Sequence, residues 1–202
     1  MSPLQTVYLA AEDIPGLEIG RKLISSAPPL TVHREENGGG FGKLKKKVRN
    51  YQNMASFGYP VLLIADLDSA ECPESLRSSW LQAKPHECFL FRVAIREIEA
   101  WLLADRLAIA DFLRIRRRTV PDTPEQLVDP KGTLLRLAQG APRRIRAGLV
   151  PERGSTATIG PEYNALLADY VKNRWDIGAA SARPPSLRRA MSAVSALAAR
   201  FR

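Results

Sequence analysis

Histidine and cysteine are scarce, with two of each in 202 residues. His33 and His86 lie in different segments with no partner motif, and Cys72 and Cys88 have neither metal-ligand spacing nor a disulfide framework. No Ser/His/Asp or Cys/His arrangement is visible, which leaves nucleophilic hydrolysis of those kinds without a candidate. Long apolar runs are missing too, and none approaches the roughly 20 residues that span a membrane. Met1 to Gln5 carry no basic region ahead of an apolar stretch, so no secretion signal is expected. Together these absences point to a reducing cytoplasm.

Acidic residues are outnumbered, 21 against 30 basic ones, for a net charge of +9. The excess is clustered. Lys43, Lys45, Lys46, Lys47 and Arg49 form one group, Arg114, Arg116, Arg117 and Arg118 a second, and Arg143, Arg144 and Arg146 a third. Such clusters favour a polyanion, most simply nucleic acid, with non-specific, salt-sensitive binding. Solubility and a codon bias toward Arg are the alternative.

The stretch that organises the chain is Tyr59-Pro60-Val61-Leu62-Leu63-Ile64-Ala65-Asp66-Leu67-Asp68. A short apolar run bounded by breakers is the pattern of a strand buried on both faces, as in parallel sheets. Further strands are expected over 6–11, 30–34 and 87–95. Helices are expected from about Pro15 through Ile24, then over 43–56 and 74–83. Strands alternating with helices predict an α/β fold with a mainly parallel sheet flanked by helices. Beyond Ile95 the pattern is helical, at 98–113, 131–139, 141–147, 161–173 and 186–200. The expected organisation is therefore an α/β layer over 1–113 and a helical C-terminal extension over 114–202 packed on it, not an independent domain.

Ligands of parallel sheets gather outside the carboxyl ends of the strands. Glu12 follows the first strand there, and Asp66 with Asp68 follows the third. Residues two apart in extended chain point the same way, so both aspartates can address one point. Converging anions repel, and a hard divalent cation such as magnesium relieves them. An Asp-rich turn is the alternative. The fourth strand runs into Glu97 and Glu99. If both are extended they share a face, and both can reach a metal. If a helix has begun, only one points inward.

These residues carry a resemblance. A Glu after a first strand, a DxD after a later one and a further acid after the next resemble the Toprim domain of topoisomerases, DnaG-type primases and overcoming-lysogenization-defect (OLD) nucleases. The chain is more similar to a family of uncharacterised bacterial Toprim-like proteins, often encoded beside ATPases in defence loci. Its hallmarks stand here as Ile64-Ala65-Asp66-Leu67-Asp68, the stretch from Arg96-Glu97-Ile98-Glu99-Ala100-Trp101 to Asp105, Asp129-Pro130-Lys131, Gly160-Pro161-Glu162-Tyr163-Asn164 and Pro185-Ser186-Leu187. The resemblance implies phosphoester cleavage of DNA or RNA dependent on Mg or Mn. Glu12, Asp66, Asp68 and Glu99 would be the catalytic acids, Glu97 a further metal ligand, and Lys131 the assisting lysine. A partner ATPase would control the activity, since the chain carries no ATPase motif. One departure stands out. OLD nucleases carry an aspartate four residues after the first glutamate, where this chain has Gly16. Asp13 and Glu18 are the nearest acids, and one metal, or a non-catalytic nucleic-acid- or ATPase-binding subunit, is the alternative.

Gly38-Gly39-Gly40-Phe41-Gly42-Lys43 is no P-loop, because Asn37 replaces the first Gly and Leu44 the Ser or Thr. A glycine loop opening a basic helix can still cradle a phosphate with its amides, or merely connect. Trp80, Trp101 and Trp175 are expected in the core. Nothing in the sequence brings Tyr163 near the acids.

Overall fold

Strands that lack the usual polar alternation need cover on both faces, and this chain supplies it. A computed structural model describes residues 5–201, so the segment 1–4, on which the expectation of no secretion signal rests, lies outside the described residues. The strands are β1 (Gln5–Ala11), β2 (Leu30–Asn37), β3 (Val61–Asp66) and β4 (Phe89–Ala94). They form one sheet in the order β2-β1-β3-β4, and every neighbouring pair is parallel. Register sets Ala11 beside Ile64 and Asp66 beside Ala94, so β3 and β4 end level and β1 ends two residues short of them.

Leu9, Leu62 and Ile64 face the larger core, shared with α1 (Ile14–Ser25) and α10 (Pro185–Ala199). Contact is close: a side chain at Gly20 would put its Cβ 2.4 Å from Leu9 Cδ1. Ala10, Leu63, Phe89 and Phe91 face the smaller core with α2 (Phe41–Ser56) and α3 (Pro73–Trp80). The chain is thus α/β with a four-stranded parallel sheet flanked by helices.

The C-terminal half is helical: α4 (Glu99–Ala104), α5 (Arg106–Leu113), α6 (Pro130–Ala138), α7 (Arg143–Leu149), α8 (Tyr163–Asn173), α9 (Ile177–Ser181) and α10. The larger core takes side chains from α4, α6, α8 and α10 as well as from β1 and α1, so it runs through both halves. Trp101, Trp175 and Trp80 are buried there or in the smaller core.

The helix expected over 98–113 is two helices. Asp105 leaves helical geometry at φ −81°, ψ 79° and caps α5 by accepting from Ala108 N at 3.1 Å. Its other oxygen accepts from Asp176 N at 2.9 Å, ahead of α9, a helix that periodicity did not reveal. A buried carboxylate satisfied by two backbone N–H groups holds that junction. Nearby, Trp101 Nε1 donates to Ser186 Oγ at 2.7 Å and Trp175 Nε1 to the Trp101 carbonyl at 3.1 Å. Among the described residues, no helix is long and apolar enough to cross a membrane.

Candidate functional site

In the order β2-β1-β3-β4 the chain leaves β1 toward one side and returns by way of α2 to the other. The crevice between the carboxyl ends of β1 and β3 is therefore the topological switch point, where open α/β sheets bind ligands. Glu12 and Asp13 follow β1 and Asp66 closes β3, so the acids line this crevice from both sides.

Glu12 bridges the two strands, its Oε1 accepting from Asp66 N at 3.0 Å. The glycine loop anchors the same corner: Gly38 N donates to the Ala11 carbonyl at 2.8 Å and Gly40 N to the Glu12 carbonyl at 3.1 Å. Gly39 and Gly40 hold φ of 67° and 100°, left-handed values that glycine adopts without strain. Gly39 N is also taken, by Asn37 Oδ1 at 3.0 Å. These three amides are therefore not free to meet a phosphate, and two of them hold the backbone at the end of β1.

Lys131, at the start of α6, stands among the acids. Its Nζ lies 3.2 Å from Glu97 Oε1 and 3.7 Å from Glu99 Oε1. Burial disfavours that ammonium, yet Glu99, Glu97 and Asp66 hold its proton affinity above the usual lysine value. Helix α4 begins at Glu99, so Glu97 precedes it and escapes the helical rotation; both glutamates reach Lys131. Glu97 Oε2 also accepts from Lys131 N at 2.9 Å, capping α6.

Glu99 is the most deeply placed acid, 1% exposed. Tyr163 OH donates to its Oε1 at 2.6 Å, while Oε2 is buried without a partner among the described residues. Burial, with repulsion from Glu97, pushes Glu99 up to about 7, against Lys131 and the tyrosine. Burial also pushes Glu12 up to about 7, with Asp68 and Asp13 adding repulsion. Asp66 is raised well above the carboxylate range by burial and by the charges of Glu99, Glu12 and Asp13. Asp13 is raised by burial too, against the amide of Gly16.

Two recesses flank the Lys131–Glu97 pair. One, of about 320 Å³, is lined by Glu12, Asp13, Gly39, Lys131 and Tyr163. The other, of about 370 Å³, is lined by Asp68, Arg96, Glu97 and Asp129.

Asp68 departs from expectation. The strand ends at Asp66, and Asp68 takes a left-handed conformation, φ 49°, that Asp tolerates better than most residues. The extended-chain rule therefore fails, and Asp68 is exposed on the second recess, raised by burial and Glu97 against Lys131. Of the two acids that could replace the one missing at Gly16, Asp13 joins the cluster and caps α1, accepting from Gly16 N at 2.8 Å. Glu18 is bonded to Arg21 instead. Tyr163, which nothing in the sequence tied to the acids, touches Glu99; its only signal was its place in the Gly160-Pro161-Glu162-Tyr163-Asn164 hallmark.

On α2, Lys43, Lys45, Lys46 and Arg49 are exposed, with no ion pair among the described residues. Lys47 is withheld from that patch: it is bonded to Glu36, which also accepts from Tyr8 OH at 2.7 Å and Tyr51 OH at 2.8 Å.

As donors, the oxygens of Glu12, Asp13, Asp66, Asp68 and Glu99 are of the kind a hard divalent cation takes, and Glu99 Oε2 is buried with no hydrogen-bond partner among the described residues. Among the described residues, however, no three His, Cys, Asp or Glu side chains are grouped closely enough to hold a metal ion. Lys131 supplies the local positive charge instead. No family model matches the chain, and no curated protein or solved structure matches it.

Proposed function

We propose that this chain is a Toprim-like, divalent-metal-dependent protein that cleaves phosphoesters of nucleic acid in the bacterial cytoplasm, serving defence under the control of a partner ATPase. The observation that carries this reading is the meeting of Glu12 and Asp66 at the β1–β3 switch point, where Glu12 Oε1 accepts from Asp66 N and burial with the charges of Glu99 and Glu12 raises the proton affinity of Asp66. Such a cluster is unfavourable when ionised unless a cation joins it. Bound Mg or Mn would polarise the scissile phosphate and acidify the attacking water. Glu12, Asp66, Asp68 and Glu99 would hold the ion, with Glu97 reserved for Lys131. The ammonium of Lys131 would contribute positive charge toward the phosphate oxygens as they gain charge. The exposed cations Lys43, Lys45, Lys46 and Arg49 would hold the flanking backbone.

The second reading is a non-catalytic subunit that binds nucleic acid or an ATPase. It is favoured by Lys131, which already serves as counter-ion to Glu97 and Glu99. A cleavage assay with Mg or Mn separates the two, run with the cognate ATPase where one is encoded nearby. Under the enzymatic reading Asp66→Asn and Asp68→Asn abolish cleavage without unfolding the chain. Cleavage that persists in both variants rules this site out as the catalyst.

A further inference from the structure

Two of the three basic clusters in the sequence have no part in the acidic crevice, and the fold brings them together. Arg114 ends α5 and Arg144 lies on α7; both line one cavity of about 440 Å³, with Arg174 at the end of α8. The packing around it is tight. A Cβ at Gly140 would stand 3.3 Å from Ile115 Cγ2, which seats the segment after α5 against the turn before α7. One at Gly148 would stand 2.5 Å from Leu166 Cδ1, which seats α7 on α8. The floor is apolar, supplied by Phe112, Ile145 and Leu166. Carboxylates leave part of the rim uncovered. Arg174 is paired with Asp111 at 2.8 Å, and Asp169 accepts from Asn173 Nδ2 at 2.7 Å. Arg114 and Arg144 are exposed and have no ion pair among the described residues.

Arg114 also stands where the backbone favours another residue. It closes α5 in a left-handed conformation, φ 55° and ψ 40°, which glycine adopts without strain. Solubility asks only for scattered charge, not for arginines of two segments meeting over an apolar hollow. Guanidinium forks match the oxygens of a phosphate, and they also stack on the faces of bases. The volume falls within the roughly 300–1,000 Å³ of small-ligand sites. A hollow of this kind admits a base only from an unpaired strand or a free nucleotide, since a duplex keeps its bases stacked. We propose that this cavity binds a nucleotide, with Arg114 and Arg144 on the phosphate and the apolar floor under the base. The shared chemistry is a nucleoside phosphate, carried in a single strand or free. The cavity shares no lining residue with the two recesses beside the acids, so the site does not depend on the crevice being catalytic.

The test is binding of the full chain to a short fluorescent single strand, as DNA and as RNA, and to adenosine monophosphate (AMP) by calorimetry. Saturable binding is expected, weaker by about tenfold or more in the double variant Arg114→Gln with Arg144→Gln, the loss of charge-assisted contacts. The salt slope of strand binding should shrink by about 0.7 for each phosphate contact removed. A control removes equal charge elsewhere: Arg34→Gln with Lys84→Gln, both exposed, should bind AMP as the wild type does. Arg114→Gly should weaken binding without lowering Tm, because glycine suits that backbone, and this separates a ligand contact from a structural role. Asp66→Asn should bind both probes as the wild type does, which keeps this result separate from any failure of the cleavage reading. Strand binding that AMP does not displace marks the strand as the source; AMP binding that the strand leaves undisturbed marks a free nucleotide. No saturable binding of either probe, or a double variant that binds as well as the control, overturns the site.

Discussion

Replacing Glu99 by Gln should stabilise the metal-free protein at pH 8 and leave it nearly unchanged at pH 5. Glu99 is 1% exposed, and burial with Glu97 moves its pKa from 4.5 to about 7. A carboxyl whose folded pKa is raised contributes stability that is complete below the unfolded value and lost as pH rises through the folded one. The window is therefore about pH 4.5 to 7. At about 1.4 kcal/mol for each pH unit, ionising Glu99 in place costs the fold about 3 kcal/mol. Glutamine keeps the size and an oxygen to accept from Tyr163 OH, and Lys131 keeps Glu97 as its partner. Urea unfolding at pH 5 and pH 8, in chelator, measures the effect. The wild type should lose stability over that interval, and Glu99→Gln should lose about 3 kcal/mol less. Equal losses would show that Glu99 does not ionise against the fold, and the raised affinity inferred from its burial would be wrong.

Other consequences follow from the same contacts. Tyr163→Phe removes a buried donor to Glu99 and should cost about 1–3 kcal/mol, with a larger loss at pH 8 than at pH 5 because the ionised acid needs that donor more; denaturant titration at both pH values checks this. Replacing Lys43, Lys45, Lys46 and Arg49 with Gln should lower the slope of log K against log salt for oligonucleotide binding by about 0.9 for each cation that meets a phosphate. Lys47→Gln should lower stability instead and leave that slope nearly alone, because Lys47 is engaged with Glu36.

The parallel layer was legible because burial on both faces leaves unbroken apolar runs, as from Val61 to Ala65. Glu12 and Asp66 were legible as neighbours for the same reason: each directly follows such a run, and parallel pairing puts both carboxyl ends at one edge of the sheet. What pattern could not convey was backbone direction after the strand. The left-handed turn at Asp68 swings its carboxylate toward the second recess, and no two-residue periodicity anticipates that. Pairings over long separations were equally hidden. Lys47 looked like its neighbours until Glu36, on β2, came to lie beside it. Tyr163 meets Glu99 across 64 positions, and Asp105 ends a helix through an amide at Asp176.

The most direct measurement is manganese binding to the purified full chain, followed by calorimetry and by electron paramagnetic resonance of the free ion. One saturable site is expected in the wild type at pH 8. Asp66→Asn should abolish it, and it should weaken as pH falls through about 7, where Glu12 and Glu99 take up protons. No saturable binding at pH 8, or binding that Asp66→Asn leaves intact, would contradict a metal centre at the β1–β3 crevice.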